Sequence, residues 1–141
     1  MKIKNIEIKS IEARRYIERN ERPKKVRIDH NSTFTRITEL EGNLAKVDFQ
    51  YSSSYGAVGV IKIEGSLLFE ENDVKKIADN WNETRKMDDE LASKMHTAVM
   101  HTCVPQAVGI AKDLGLPPPI PLPQVRLGKN PKKGSTGPEV A

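Results

Sequence analysis

The side chains best suited to covalent or metal chemistry are one thiol and three imidazoles: Cys103, His30, His96 and His101. A cysteine nucleophile needs a base placed to take its proton and a third group to orient that base. No motif places a histidine in that role for Cys103. It falls instead on the apolar stripe of a predicted helix, where a thiol packs as a small apolar group. His96 and His101 lie five residues apart, so a helix turns them to different faces. A helical pair that shares a metal ion wants a spacing of four. His101 and Cys103, two apart, diverge as well. A lone cysteine also excludes multi-cysteine zinc sites. The pairs Glu70-Glu71 and Asp88-Asp89 fall at predicted element ends, where carboxylates cap helices and solubilise. Gly56-Ala57-Val58-Gly59 leads from a turn into a strand, not from a strand into a helix, which is the wrong context for cradling a phosphate. The expectation is a non-enzyme with no catalytic residue, no metal and no cofactor.

What remains is apolar surface, and the elements that position it. The chain has 141 residues, 37% hydrophobic and 30% charged, enough for one modest core. We expect a single domain over residues 1–127 and a disordered basic tail over 128–141, rich in Gly, Pro, Lys and Ser. The net charge is +4. Basic residues gather at Arg14-Arg15, Arg22 to Arg27 and the tail, but elsewhere mix with acidic ones as on an ordinary wetted surface. Nucleic acid is therefore a secondary expectation. No stretch approaches the roughly 18 apolar residues that span a bilayer, so no membrane insertion is expected. Met1 to Asn5 alternates charge with apolar residues, unlike a secretory signal. With one unpaired cysteine, these features point to a soluble cytoplasmic protein.

The element order is four strands and then two helices, the α+β pattern. The spacing predicts a first strand over residues 2–12, although Ile6 and Ile8 share a parity that Ile3 and Ile11 do not. A helix through Ile8, Ile11 and Arg15 competes with it. Arg19 to Lys24 is a polar connection that Pro23 keeps from being helical. A second strand starts near Val26, with a bulge or bend near Arg36, because Ile37 breaks the parity of Val26, Ile28 and Phe34. Ala45, Val47, Phe49 and Tyr51 alternate with Lys46, Asp48, Gln50 and Ser52, the clearest strand of the four. The fourth runs from Ala57 to Glu70, with Gly59 and Gly65 as bend points. Val58, Val60 and Leu68 leave apolar surface at its ends for a partner subunit to cover.

Asn72 or Asp73 then caps a helix with the stripe Val74, Ile77, Ala78 and Trp81. Asp88 or Asp89 opens a second, which Gly115 closes. Pro105 inside it predicts a kink or short break. Leu116 to Pro123 is Pro-rich and extended, with Leu116, Ile120 and Leu122 lying against the body.

Three stretches together resemble the SecB family of export chaperones. They are Asn5-Ile6-Glu7-Ile8-Lys9-Ser10-Ile11-Glu12-Ala13, the hairpin of Ala45–Tyr51 with Val60–Phe69, and Cys103-Val104-Pro105 continuing through a helix to Gly115-Leu116-Pro117. The resemblance covers about nine-tenths of the chain. It implies a four-stranded antiparallel sheet with helices on one face, assembly into a dimer or a dimer of dimers, and ATP-independent binding of unfolded client polypeptides. On that reading the groove candidates are Phe34, Phe49, Tyr51, Tyr55, Leu68, Phe69, Ile120 and Leu122, each with plain core packing as its alternative. The chain departs from the family in three ways. It is basic where bacterial members are acidic, its tail carries Lys129, Lys132 and Lys133, and residues 71–90 add a helix. These departures argue against handover to a SecA motor and less against the fold. Family members attached to toxin–antitoxin systems, and archaeal ones, share the fold.

Overall fold

The computed structural model describes residues 1–21 and 25–120. Four strands form one antiparallel sheet: β1 (Lys2–Arg15), β2 (Asp29–Glu39), β3 (Leu44–Ser54) and β4 (Gly59–Glu70), in the order β1-β4-β3-β2. Two helices come after them, α1 (Val74–Thr84) and α2 (Asp89–Leu114).

The conflicting parity of β1 is resolved without a helix. Its register against β4 slips between Ile3 and Asn5 and again between Ile8 and Ser10. Each bulge adds one unpaired residue, Lys4 and then Lys9, and so reverses the parity of the residues beyond it. Ile3, Ile6, Ile8, Ile11 and Ala13 therefore oppose Phe69, Leu67, Gly65, Ile63 and Ile61. All five apolar residues reach one face, where Ile3, Ile6, Ile8 and Ala13 pack against the core and Ile11 stays 45% exposed. A lysine at each bulge also blunts this edge strand against further pairing.

Strand β2 uses the same device. Its register slips between Phe34 and Arg36, which leaves Thr35 unpaired and sets Ile37 opposite Val47. The strand begins at Asp29, not near Val26, because Asp29 already pairs with Ser54, the last residue of β3. Similarly β4 begins at Gly59, since Ala57 and Val58 belong to the turn closed by Tyr55 N–H on Gly59 O at 2.9 Å.

Helix α1 guards the β2 edge. The Asn82 amide donates to Ile37 O at 2.9 Å and accepts from Ile37 N–H at 3.4 Å. Arg85 donates to Thr35 O at 3.3 Å, so the bulge carbonyl is met as well. The guanidinium of Arg85 also lies 4.4 Å from the Trp81 ring centre. Asp73 stands at the start of α1 but its side chain does not cap it. At φ 56° it takes a left-handed conformation, and its carbonyl accepts from Lys76 and Ile77 instead.

Helix α2 does have a side-chain cap, Leu91 N–H donating to Asp88 Oδ2 at 3.2 Å. It runs unbroken through Pro105, which is exposed. The carbonyl that loses its proline partner belongs to exposed His101, where water can serve it. Buried Leu91, Met95, Val99, Cys103, Ala107 and Ala111 recur every four residues. Such a ridge is inclined to the helix axis. It suits a helix that crosses the sheet and touches all four strands.

Gly65 makes the centre of this interface possible. A Cβ there would collide with the Glu7 carbonyl and stand 2.8 Å from Phe49 Cζ. We expect Gly65→Ala to lose about 2–3 kcal/mol in urea denaturation by overpacking. Gly109→Ala, which meets nothing within 4 Å, should gain about 0.5–1 kcal/mol from helix propensity.

Candidate functional site

The groove candidates scatter across the fold. Phe49 and Phe69 lie in the core at 2% and 0% exposure, under the helices. Phe34 is half-buried and stacks on the His96 ring, with centroids 4.1 Å apart. Leu68 is half-buried on the opposite face of the sheet, between Asn5 and Lys46. Tyr51 and Tyr55 are buried at the end where β3 finishes, and Ile120 is exposed on the segment that leaves α2. Leu122 and the tail lie outside the described residues.

Tyr51, Tyr55 and Ile120 belong to one neighbourhood. Gly115, with φ 69°, ends α2, and Leu116 N–H donates back to Ala111 O at 2.8 Å. Leu116 is buried against Gly59 and turns the chain over the end of the sheet. There the Tyr55 hydroxyl donates to Pro117 O at 2.8 Å. Two residues on, Pro119 O meets His30 Nε2. His30 Nδ1 lies 2.9 Å from the Tyr51 hydroxyl. The arrangement assigns the tautomer: Tyr51 donates to Nδ1, and the Nε2 proton goes to the Pro119 carbonyl. Burial pushes the Tyr51 phenol up to about 12 and the Tyr55 phenol in the same direction, with Ser53 beside them working the other way. Both phenols stay protonated donors at neutral pH. Ser53 Oγ itself is fully buried and has no hydrogen-bond partner among the described residues.

Beside this cluster is a cleft of about 520 Å³ between the β1–β2 connection and the segment after α2. Ile17, Val26, Val58 and Pro117 give it an aliphatic lining, and Arg15, Arg19 and Glu21 line it with charge. The two arginines are held in place. Arg15 donates to Leu114 O and Gly115 O at 3.3 and 2.7 Å, and Arg19 to Asp113 O at 2.9 Å. They satisfy the open carbonyls at the C-terminus of α2, where cations are favoured. A larger cleft of about 830 Å³ lies between α1 and α2, with Ile77, Met87 and Leu91 among acidic and basic side chains.

His96 and His101 do not converge. His96 Nδ1 bonds the Ser32 hydroxyl at 2.8 Å, and burial lowers its pKa, while His101 is exposed. The sequence pattern did not single out Ile17, Val26 or Arg19 as site residues, and it weighed His30 only for catalytic or metal chemistry and Arg15 only for nucleic acid. A signal existed for two of them. Ile17 and Val26 flank an otherwise polar connection, and a connection needs apolar residues only where it lies against something.

No protein-family model and no curated protein matches the sequence. Among solved structures, the chain resembles a SecB-like chaperone of Mycobacterium tuberculosis in complex with a ChAD peptide from an antitoxin. The TM-score is 0.52 at 14% identity, over 82% of this chain and 81% of that one. The fold, a four-stranded antiparallel sheet followed by helices, is SecB-like.

Cys103 sits in the core with its thiol pushed up to about 11 by burial. At pH 8 such a thiol is ionised in roughly one molecule in a thousand. We expect a thiol reagent at that pH to modify the native protein at least about a hundredfold more slowly than the unfolded chain.

Proposed function

We propose that this protein is a cytoplasmic, non-catalytic chaperone that holds polypeptide segments which have not folded. The observation that carries the reading is the cleft beside the end of the sheet, where aliphatic and charged side chains share the lining. Its apolar lining comes from three irregular segments, the β1–β2 connection, the turn before β4 and the segment after α2, and Ile17 and Val26 pack against the core while keeping part of their surface open to the cleft. Ile17 and Val26 are only half-buried, and Ile120 nearby is exposed. Aliphatic side chains of an extended segment would gain about 25 cal/mol for each Å² they bury there. The charged residues at the cleft leave the ends of such a segment in water. Nothing in this chemistry consumes ATP or a cofactor. The SecB-like neighbour, which holds an antitoxin peptide, supports client binding as the use of the fold.

Aliphatic lining does not discriminate strongly among sequences. Clients on their way to export and partners within a toxin–antitoxin pair would meet the same surface. The reading includes self-association through the outer face of the sheet, where Val60 and Leu68 are half-buried. Nucleic acid is less well served. The Arg15 and Arg19 guanidiniums, which it would need, are engaged with carbonyls of α2.

Fluorescence anisotropy tests the reading, with a labelled, permanently unfolded polypeptide and its folded form titrated side by side. We expect binding of the unfolded form alone, weakened about tenfold or more by Val26→Asp while the native mass is unchanged. Equal binding of both forms, or of neither, would overturn it. An oligonucleotide bound with steep salt dependence would move the assignment to nucleic acid.

A further inference from the structure

The segment from Leu116 to Ile120 is held in an unusual manner. Three successive prolines, Pro117 to Pro119, have no N–H and so offer only carbonyls. Two of those carbonyls are taken by side chains of the sheet, Pro117 O by the Tyr55 hydroxyl and Pro119 O by His30 Nε2. The chain bends at Pro119 and Ile120, and both carbonyls thereby reach donors at the end of the sheet. The contacts read backbone and spacing, and no side chain is recognised beyond the burial of Leu116 and Pro119. The donors are also prepared in advance. His30 is oriented by Tyr51 at 2.9 Å, and Tyr55 is fixed by near-complete burial. A third polar group stands in the same cluster. Ser53 lies opposite His30 in the register and two residues from both Tyr51 and Tyr55. Its buried hydroxyl has no hydrogen-bond partner among the described residues. The prolines have no N–H, whereas an ordinary peptide has one at every residue.

We propose that Tyr55 and His30 form a site for extended polypeptide backbone, reading two carbonyls at a spacing of two, and that the Pro117–Pro119 strap is its resident occupant. A client segment entering the adjoining cleft displaces the strap and takes over its two hydrogen bonds. It also brings N–H groups, which the prolines lack. The prolines make the strap a weak occupant, since without N–H groups it cannot pair as a strand. Affinity for a client is thereby set by the difference between two occupants of one site. This inference rests on the client-binding reading and adds which atoms are read and what must leave.

A spin label at Ile120→Cys tests it, because residue 120 is exposed and Cys103 is shielded. Permanently unfolded polypeptide is titrated while label mobility and client anisotropy are monitored together. The expected result is a rise from immobile to mobile label with the same midpoint as binding. Binding that leaves the label immobile would overturn the strap proposal and leave client binding standing. Absence of binding would overturn both. Without client, Tyr55→Phe combined with His30→Gln should shift the label about thirtyfold toward the mobile form, the loss of two hydrogen bonds. Tyr55→Phe alone, which keeps the buried ring, should give about fivefold. A label that stays immobile in both variants would show that the carbonyl contacts do not hold the strap.

Discussion

Two helices have to cover an apolar sheet face four strands wide, with α2 crossing all four, and most of the molecule is arranged to meet that requirement. The buried row of α2 recurs every four residues from Leu91 to Ala111. Each large side chain in such a row is worth about 1.5–3 kcal/mol of burial. The row works only if every strand presents its apolar residues upward. In β1 and β2 they are out of phase with a period of two, and the bulges at Lys4, Lys9 and Thr35 bring them back. Gly65 then leaves room beside it for the Phe49 ring.

The ends of α2 connect this core to the rest. Asp88 caps the first turn, and α1 just before it closes the β2 edge through Asn82 and Arg85. At the other end, Gly115 turns the chain and Leu116 pins it over Gly59. Arg15 and Arg19 reach from the end of β1 and the connection after it to the last carbonyls of the helix. The cleft and the Pro-rich segment owe their positions to these contacts. A site made of irregular segments is normally imprecise. Here it is stiffened by one helix terminus and by donors rooted in the sheet.

Much of this was legible in residue order. The alternation of Ala45 to Tyr51 defines β3, and the change of period after Asp73 separates sheet from helices. The bulges were only half legible. A slip near Arg36 could be inferred from Ile37, but in β1 two compensating slips look like a failed strand, and a helix competed with it. Pro105 argued for a break that the exposed carbonyl of His101 makes unnecessary. Asp73 looked like a cap, yet its left-handed backbone turns the side chain away from that task. The site was the least legible part. Phe49 and Phe69 share size and apolarity with groove residues, and only the placement of α2 assigns them to the core. The bond between His30 and Pro119 joins residues 89 apart, a pairing that no local pattern encodes.

The most direct test of the account is amide hydrogen exchange across the whole chain, with and without a saturating unfolded polypeptide. A client at the sheet end should change exchange at Gly115, Leu116 and Ile120, in the β1–β2 connection, and where β2 begins and β3 ends. The core row of α2 should stay as it is. Protection confined to the cleft between α1 and α2, or to the outer face of the sheet, would contradict the account and place the binding surface elsewhere.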